Sequence, residues 1–420
     1  MRAEVIAIGD ELTSGLRLDT NSPWLSQKLE ELGVRVVYHT TVADDLEANV
    51  NVFRAAAERA ELVVATGGLG PTADDLTRQA IALAVDRPLV VDESALAHVQ
   101  KMFTARGRPM PERNRVQAEF PQGASVIPNP HGTAPGIDLT VVRAVDGVPA
   151  RIFALPGVPA EMHEMWEATV VARIGEMLGS ERRVTKHVRL KVFGVGESHC
   201  EEMLPDLIRR GRQPTVGITV SRATITLRVT STASSPAACD AEIQPTVQII
   251  RDCLGNLIFG AEEDELQHAI VRLLQRSSQT LATAEWGTAG LLARWLRDVP
   301  GSAAVYRGGK VVSEAATAQR LFEIPVPSPT ADDSEISRTI VTCMAERVRA
   351  RFGARIGLAV GDFPSPGPTS EFYVGLALPE RLLAEARPYS GHPDILLHRS
   401  AKQALDVLRH ELLRGLPCDD

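Results

Sequence analysis

The chain has 420 residues, 44% of them hydrophobic and 23% charged, with a formal net charge of -8. That length exceeds one ordinary core and implies two or three domains of a globular protein. The acidic balance argues against broad binding to a nucleic-acid backbone, and no run of about eighteen apolar residues exists to span a membrane. Neither partner is expected. The five cysteines, Cys200, Cys239, Cys253, Cys343 and Cys418, are scattered and form no CxxC pair, so neither a disulfide framework nor a structural zinc site is expected. No basic-then-apolar leader is read at the N-terminus, and a reducing cytoplasm is the expected location.

Taken in chain order, residues 1–170 alternate short apolar runs with helical patterns. Strands are predicted at 4–8, 34–39, 61–65 and 152–155, and helices at 23–32, 46–59 and 76–85. This rhythm implies a parallel sheet with helices on both faces, whose ligands bind at the carboxyl ends of the strands. Gly9-Asp10-Glu11 and the Gly67 loop both fall at such ends. Met162, Met165 and Trp166 read as a core-facing helix stripe. Residues 171–260 read as a small α+β module, with strands at 184–193 and 223–230 and helices at 198–210 and 237–254. Residues 261–420 read as a further α/β domain, with a helix at 265–276 and strands at 281–284, 304–306 and 356–360. The Pro- and Asp-rich stretch 325–333 reads as a loop. No internal repeat is visible.

The most informative segment is Thr66-Gly67-Gly68-Leu69-Gly70-Pro71-Thr72-Ala73-Asp74-Asp75. A glycine turn between strand and helix lets backbone N–H groups approach an anion. Two adjacent carboxylates there would repel a bare phosphate, but suit a divalent cation bridging to phosphate oxygens. The bland alternative is a solvated loop with a helix cap at Asp74 or Asp75. Asp10 and Glu11 are candidates for a further ligand or a general base, or equally for a helix cap.

Several words in this sequence carry a family resemblance. They include Ile8-Gly9-Asp10-Glu11-Leu12, Asp19-Thr20-Asn21, the Gly67 loop, Asp74-Asp75-Leu76-Thr77-Arg78, Gly132-Thr133-Ala134-Pro135-Gly136 and Leu155-Pro156-Gly157-Val158-Pro159. Later come Phe193-Gly194-Val195-Gly196-Glu197-Ser198 and Leu281-Ala282-Thr283-Ala284-Glu285. In this order they resemble the competence/damage-inducible (CinA) family over nearly the whole chain. The resemblance implies an N-terminal doubly wound domain of molybdopterin-binding-protein type, a small α+β middle module and a C-terminal α/β domain.

It also implies metal-dependent hydrolysis of ADP-ribose to AMP and ribose 5-phosphate in the first domain. The last domain is associated in that family with serine-dependent deamidation of nicotinamide mononucleotide. Carried onto this chain, Asp74 and Asp75 would hold a divalent ion (Mg, Mn or Co, the identity left open), and Asp10, Glu11 or Asp75 would serve catalysis. Asn21, Gly67, Gly68, Gly70, Thr133 and Gly157 would contact the nucleotide. A homo-oligomer, a dimer, is the expected assembly. Two departures touch this site: Ala73 stands where the family usually has His, and Val116 where Lys is common.

The C-terminal site departs further. Trp286 occupies the position of the serine nucleophile, and an indole has no hydroxyl or thiol to attack an amide. Ser313 replaces a Tyr, Ala318 a Lys, and Asp362–Pro368 a glycine-rich loop. Loss of deamidase activity is expected, with Thr288 as a helix cap. Two other readings stay open: a non-catalytic nucleotide- or pterin-binding protein, and an assembly or regulatory subunit.

Overall fold

The computed structural model describes residues 1–179, 183–204, 206–209, 211–326, 328 and 330–415. Cys418 and Arg210 lie outside them. The chain divides into two compact units, Met1–Lys186 with Thr232–Asp240, and His187–Ser231 with Ala241–Asp420. Among the described residues no helix is long and apolar enough to cross a membrane.

The first unit runs β1 (Arg2–Ile8), α1 (Asp10–Thr13), α2 (Asn21–Glu31), β2 (Arg35–Val42), α3 (Leu46–Arg59), β3 (Leu62–Thr66) and α4 (Thr77–Ala84). It continues with β4 (Leu89–Val91), α5 (Glu93–Ala105), β5 (Glu119–Pro121), β6 (Ser125–Ile127), β7 (Gly136–Val142), β8 (Pro149–Leu155), α6 (Pro159–Met165) and α7 (Val171–Leu178). Six strands form one sheet in the order β2-β1-β3-β8-β7-β6. The first four are parallel; β7 and β6 run antiparallel. The sheet is therefore mixed, not wholly parallel as predicted. The link from β7 to β8 is too short for a crossover, so those strands pair as a hairpin.

Both faces of the sheet are buried at its centre, which is why β1, β3 and β8 are largely apolar while the edge strand β2 is not. On β3, Leu62 and Val64 pack with Leu25, Leu29 and Trp166, while Val63 and Ala65 pack with Phe53 and Ile81. Met162, Met165 and Trp166 are fully buried, as their spacing predicted. Burying a side chain of this size contributes roughly 1.5–3 kcal/mol.

Next in the chain are β9 (Val184–Val192), α8 (Glu197–Glu202), β10 (Thr215–Ser221), β11 (Thr224–Ala233), α9 (Pro236–Leu254) and β12 (Ile258–Ala261), with the ends of β9, β11 and α9 counted in the first unit and the rest in the second. Their sheet has the order β10-β11-β9-β12. Next are α10 (Leu266–Arg276), β13 (Leu281–Glu285), α11 (Leu291–Asp298), β14 (Tyr306–Val311), α12 (Ala315–Phe322) and α13 (Asp333–Arg351). The chain ends with β15 (Ile356–Val360), β16 (Glu371–Ala377), β17 (Leu382–Pro388) and α14 (Pro393–Arg414). The second sheet has the order β14-β13-β15-β16-β17, with β14, β13 and β15 parallel. Residues of α10 and α14 pack on one face and α13 on the other.

Three expectations shift here. The helix predicted at 198–210 stops at Glu202, since Leu204 precedes a proline and that position disfavours helical backbone. The strand predicted at 304–306 is β14, displaced toward the C-terminus. Its glycines allow close packing: a Cβ on Gly308 would lie 2.8 Å from the Phe352 ring and one on Gly309 2.3 Å from Thr283 Oγ1. Asp332, inside the predicted loop 325–333, caps α13 by accepting the Glu335 N–H at 2.8 Å.

Candidate functional site

β1, β3 and β8 run in the same direction and end at one rim, so the loops after them face a common space. There they enclose a cleft of about 460 Å³. Of the residues predicted for the site, Glu11, Gly67, Gly68, Gly70, Asp74, Asp75, Thr133 and Gly157 line it together. Asp10 and Asn21 do not. Asn21 lies just beneath, where its Nδ2 donates to Thr66 Oγ1 and to the Gly157 carbonyl, both at 3.0 Å. It ties the ends of β3 and β8 together, and its buried Oδ1 has no partner within the protein.

The glycine loop is held from inside the protein. Thr77 Oγ1 donates to the Gly67 carbonyl at 2.9 Å, and Arg78 donates to the carbonyls of Leu69 at 2.7 Å and Gly70 at 3.3 Å. Arg78 is almost fully buried, and burial pushes its pKa down to about 10. From the other side, Asp75 Oδ1 accepts the Gly70 N–H at 2.7 Å. Its Oδ2 accepts the Thr72 N–H at 2.9 Å and the Thr72 hydroxyl. Asp75 is thus a staple of the loop, not the helix cap that the bland reading expected; the residue at the N-cap of α4 is Leu76, and no side chain caps it.

Gly67 and Gly68 have φ of +108° and +63°, where a side chain is strained. A Cβ on Gly67 would lie 2.3 Å from the Ile8 carbonyl, and one on Gly68 2.3 Å from Thr77 Oγ1. The glycines are required by the loop's own packing. Gly157 differs, because the nearest atom to its Cβ would be Gly67 Cα at 3.5 Å, an ordinary contact.

Carboxylates crowd one wall. Asp10 and Asp44 clasp each other's backbone: the Asp10 N–H donates to Asp44 Oδ2 at 2.9 Å and the Asp44 N–H to Asp10 Oδ1 at 3.0 Å. Burial, then the charges of Asp10, Asp74 and Glu11, raise the Asp44 pKa above the ordinary carboxylate value, against its hydrogen bond to Asp10. Asp74 is fully exposed, and Thr72 and its own backbone hold its pKa below the ordinary value. Among the described residues no group of three or more His, Cys, Asp or Glu side chains is assembled to hold a metal ion. A closed calcium- or zinc-type cage does not fit these residues. An ion such as Mg²⁺, which keeps several waters and takes one or two carboxylates plus substrate phosphates, does fit them. Asp74, exposed and lining the cleft, is the better placed of the two to take an ion, since Asp75 already has hydrogen bonds on both oxygens.

Asp44, Gln117 and Glu161 also line the cleft, and none was singled out from the sequence. For Asp44 a signal was present. Asp44-Asp45 follows β2 just as Asp10-Glu11 follows β1. Glu161 had none: it reaches Asn129, whose Nδ2 donates to it at 2.7 Å. Asn129 Oδ1 accepts the Gly132 N–H at 2.8 Å and so shapes the loop that carries Thr133.

The C-terminal corner is built differently. Glu285, fully buried at the end of β13, accepts the N–H groups of Leu292 at 3.0 Å and Ala293 at 2.8 Å, and the Thr288 hydroxyl at 2.8 Å. The residue that caps α11 is therefore Glu285; Thr288, expected in that role, serves the cap. Trp286 is half-buried against the cluster around Phe322 and Val341. Phe363 covers Gly287, whose Cβ would lie 2.5 Å from its ring, and stacks on Tyr389 at 4.7 Å.

Matches to known proteins follow the same division. Residues 4–176 match the family model described as "Probable molybdopterin binding domain". Residues 187–260 match the damage-inducible protein CinA KH domain, and 263–412 the CinA C-terminal domain. A CinA-like protein of Frankia casuarinae is 35% identical over 430 residues, covering 99% of this chain and 97% of that protein. One from Dictyoglomus thermophilum is 35% identical over 420 residues, covering 98% and 100%. The crystal structure of CinA from Thermoplasma acidophilum, described as of unknown function, is 35% identical. It covers 40% of this chain and 97% of that one, with a TM-score of 0.36. With identity of this level held across the full length of both chains, this protein belongs to the CinA family.

Proposed function

We propose that the N-terminal cleft hydrolyses the pyrophosphate bond of a nucleotide diphosphate, ADP-ribose in the first instance, to AMP and ribose 5-phosphate. The observation that carries this reading is the open cleft at the strand ends, with a glycine loop on one side and a crowded acidic wall on the other. A divalent cation at Asp74 would supply neutralisation of the phosphate charge. Gly67, Gly68 and Gly70 would bring backbone to the phosphates, and Thr133 and Glu161 would bound the substrate opposite. Glu11 or Asp44 would accept the proton of the attacking water as its oxygen bonds to phosphorus and the bridging P–O bond breaks.

The test is incubation of the purified chain with ADP-ribose and Mg²⁺, Mn²⁺ or Co²⁺, with AMP followed chromatographically. Steady AMP release supports the hydrolase. Tight binding without release supports the second reading, a non-catalytic nucleotide-binding protein, which the hydrogen bonds of Asp75 and the Ala73 departure favour. For the C-terminal domain we propose that amide hydrolysis is lost, since Trp286 carries no nucleophile and the Thr288 hydroxyl is buried away from any substrate. Ammonia release from nicotinamide mononucleotide above buffer background would overturn that.

A further inference from the structure

A cavity of about 680 Å³ lies within the second unit, between the turn after β9 and one face of α14. Its volume falls in the range of about 300–1,000 Å³ typical of small-molecule sites. Ile395, Arg399, Gln403, Asp406 and His410 face it from α14, at three- and four-residue spacings that put them on one stripe. The other side of the same helix, with Leu405, Leu408 and Leu412, is buried core.

Three features indicate what the cavity would take. First, two buried polar atoms in its lining residues have no partner: Arg387 Nε, a donor, and Gln403 Oε1, an acceptor. Leaving such atoms unpaired costs about 1–3 kcal/mol each, so both side chains gain by turning toward a polar ligand in the cavity. Second, the negative charge is partly compensated. Asp406 pairs with Arg409 at 2.7 Å and lies 3.5 Å from His410. Arg387 uses one terminal nitrogen on Glu385 at 2.5 Å, and Arg399 uses one on the Ser390 carbonyl at 2.9 Å. Both guanidinium groups keep N–H donors; the exposed Glu197 is the other acid in the lining. Third, the opposite wall is apolar, with Phe193, Val220, Ile225 and Leu257, and Val220 is left 49% exposed.

We propose that this cavity binds a phosphate monoester of mononucleotide size, as a site separate from the N-terminal cleft. The phosphate takes Arg387 and Arg399, whose planar donors match phosphate oxygens. A sugar hydroxyl or ring nitrogen meets the Gln403 amide, and the ring lies on the apolar wall.

The experiment is calorimetric titration of AMP, as probe, into the full-length chain without metal. It is repeated on the Arg399→Gln/Gln403→Leu double variant and, separately, on Gly68→Ala. The expected result is loss of one binding event, or at least tenfold weaker affinity, in the double variant, with AMP release from ADP-ribose unchanged. Arg399→Lys, which keeps the charge but not the fork, should fall between. Superimposable titrations of the double variant and the parent, with both folded by circular dichroism, would overturn the proposal. So would inorganic phosphate binding as tightly as AMP, because the ring and hydroxyl contacts would then contribute nothing. Failure of the N-terminal reading is visible separately, as no AMP release from ADP-ribose or as a titration that Gly68→Ala leaves unchanged.

Discussion

At Thr66 and again at Glu285, a fully buried central strand runs into a glycine-containing loop and then an eight-residue helix. In the first corner a buried cation from the helix, Arg78, takes the loop's carbonyls, Asp75 staples its far end, and α4 has no side-chain cap. In the second a buried anion from the strand, Glu285, takes the first amides of α11, and Phe363 closes over Gly287. Helix amides attract an anion only where no internal carboxylate already occupies them. The sign of one buried side chain thus separates a corner held through its loop carbonyls by a cation from one held through its helix amides by an anion.

Variants can break this contrast, beginning with the largest effect. Asp74→Asn should lower AMP release by at least roughly two orders of magnitude, as for a lost metal ligand, with the melting temperature unchanged. Wild-type turnover at limiting metal would remove Asp74 from the site. Glu285→Ala leaves two amides and a buried hydroxyl without partners and should cost about 2–4 kcal/mol in urea unfolding of the second unit's transition. An unchanged midpoint would show that water replaces the carboxylate and that the corner is open after all.

Trp286→Ser removes a half-buried indole and should cost about 1–3 kcal/mol, less than the roughly 3–5 of a fully buried ring, without restoring ammonia release. Gly68→Ala forces a Cβ toward Thr77 Oγ1 at a positive φ and should cost about 1–3 kcal/mol while weakening nucleotide binding. Intact stability with lost binding would instead locate the need for glycine in the ligand.

The smallest effect concerns Asp44. Its folded pKa is raised, so its stabilising contribution is present below the ordinary carboxylate value and lost as pH rises through the folded value. Asp44→Asn should therefore raise the melting temperature slightly at pH 7, with the gain fading as pH falls into the carboxylate range. A gain independent of pH would show that the acidic wall carries no strain.

Much of this was legible in the chain. The continuous apolar run of β3, the core stripe of Met162, Met165 and Trp166, and the strand–glycine–helix order around Gly67 follow from side-chain size and backbone freedom, which are local properties. The absence of a hydroxyl or thiol at Trp286 is equally local, since no fold supplies an indole with one. What the chain alone left open depended on partners distant in sequence. Asp74 and Asp75 are neighbours of identical chemistry, yet one faces solvent and the other accepts from Gly70 and Thr72. Asp44 joins Asp10 across 34 residues, and Asn21 reaches Gly157 across 136. The stripe on α14 acquires its meaning from Arg387 and from the turn after β9. A sequence specifies which groups exist and what local backbone they favour; hydrogen-bond partners and burial arise only when separate segments meet, and those decided which carboxylate staples a loop and which stays exposed.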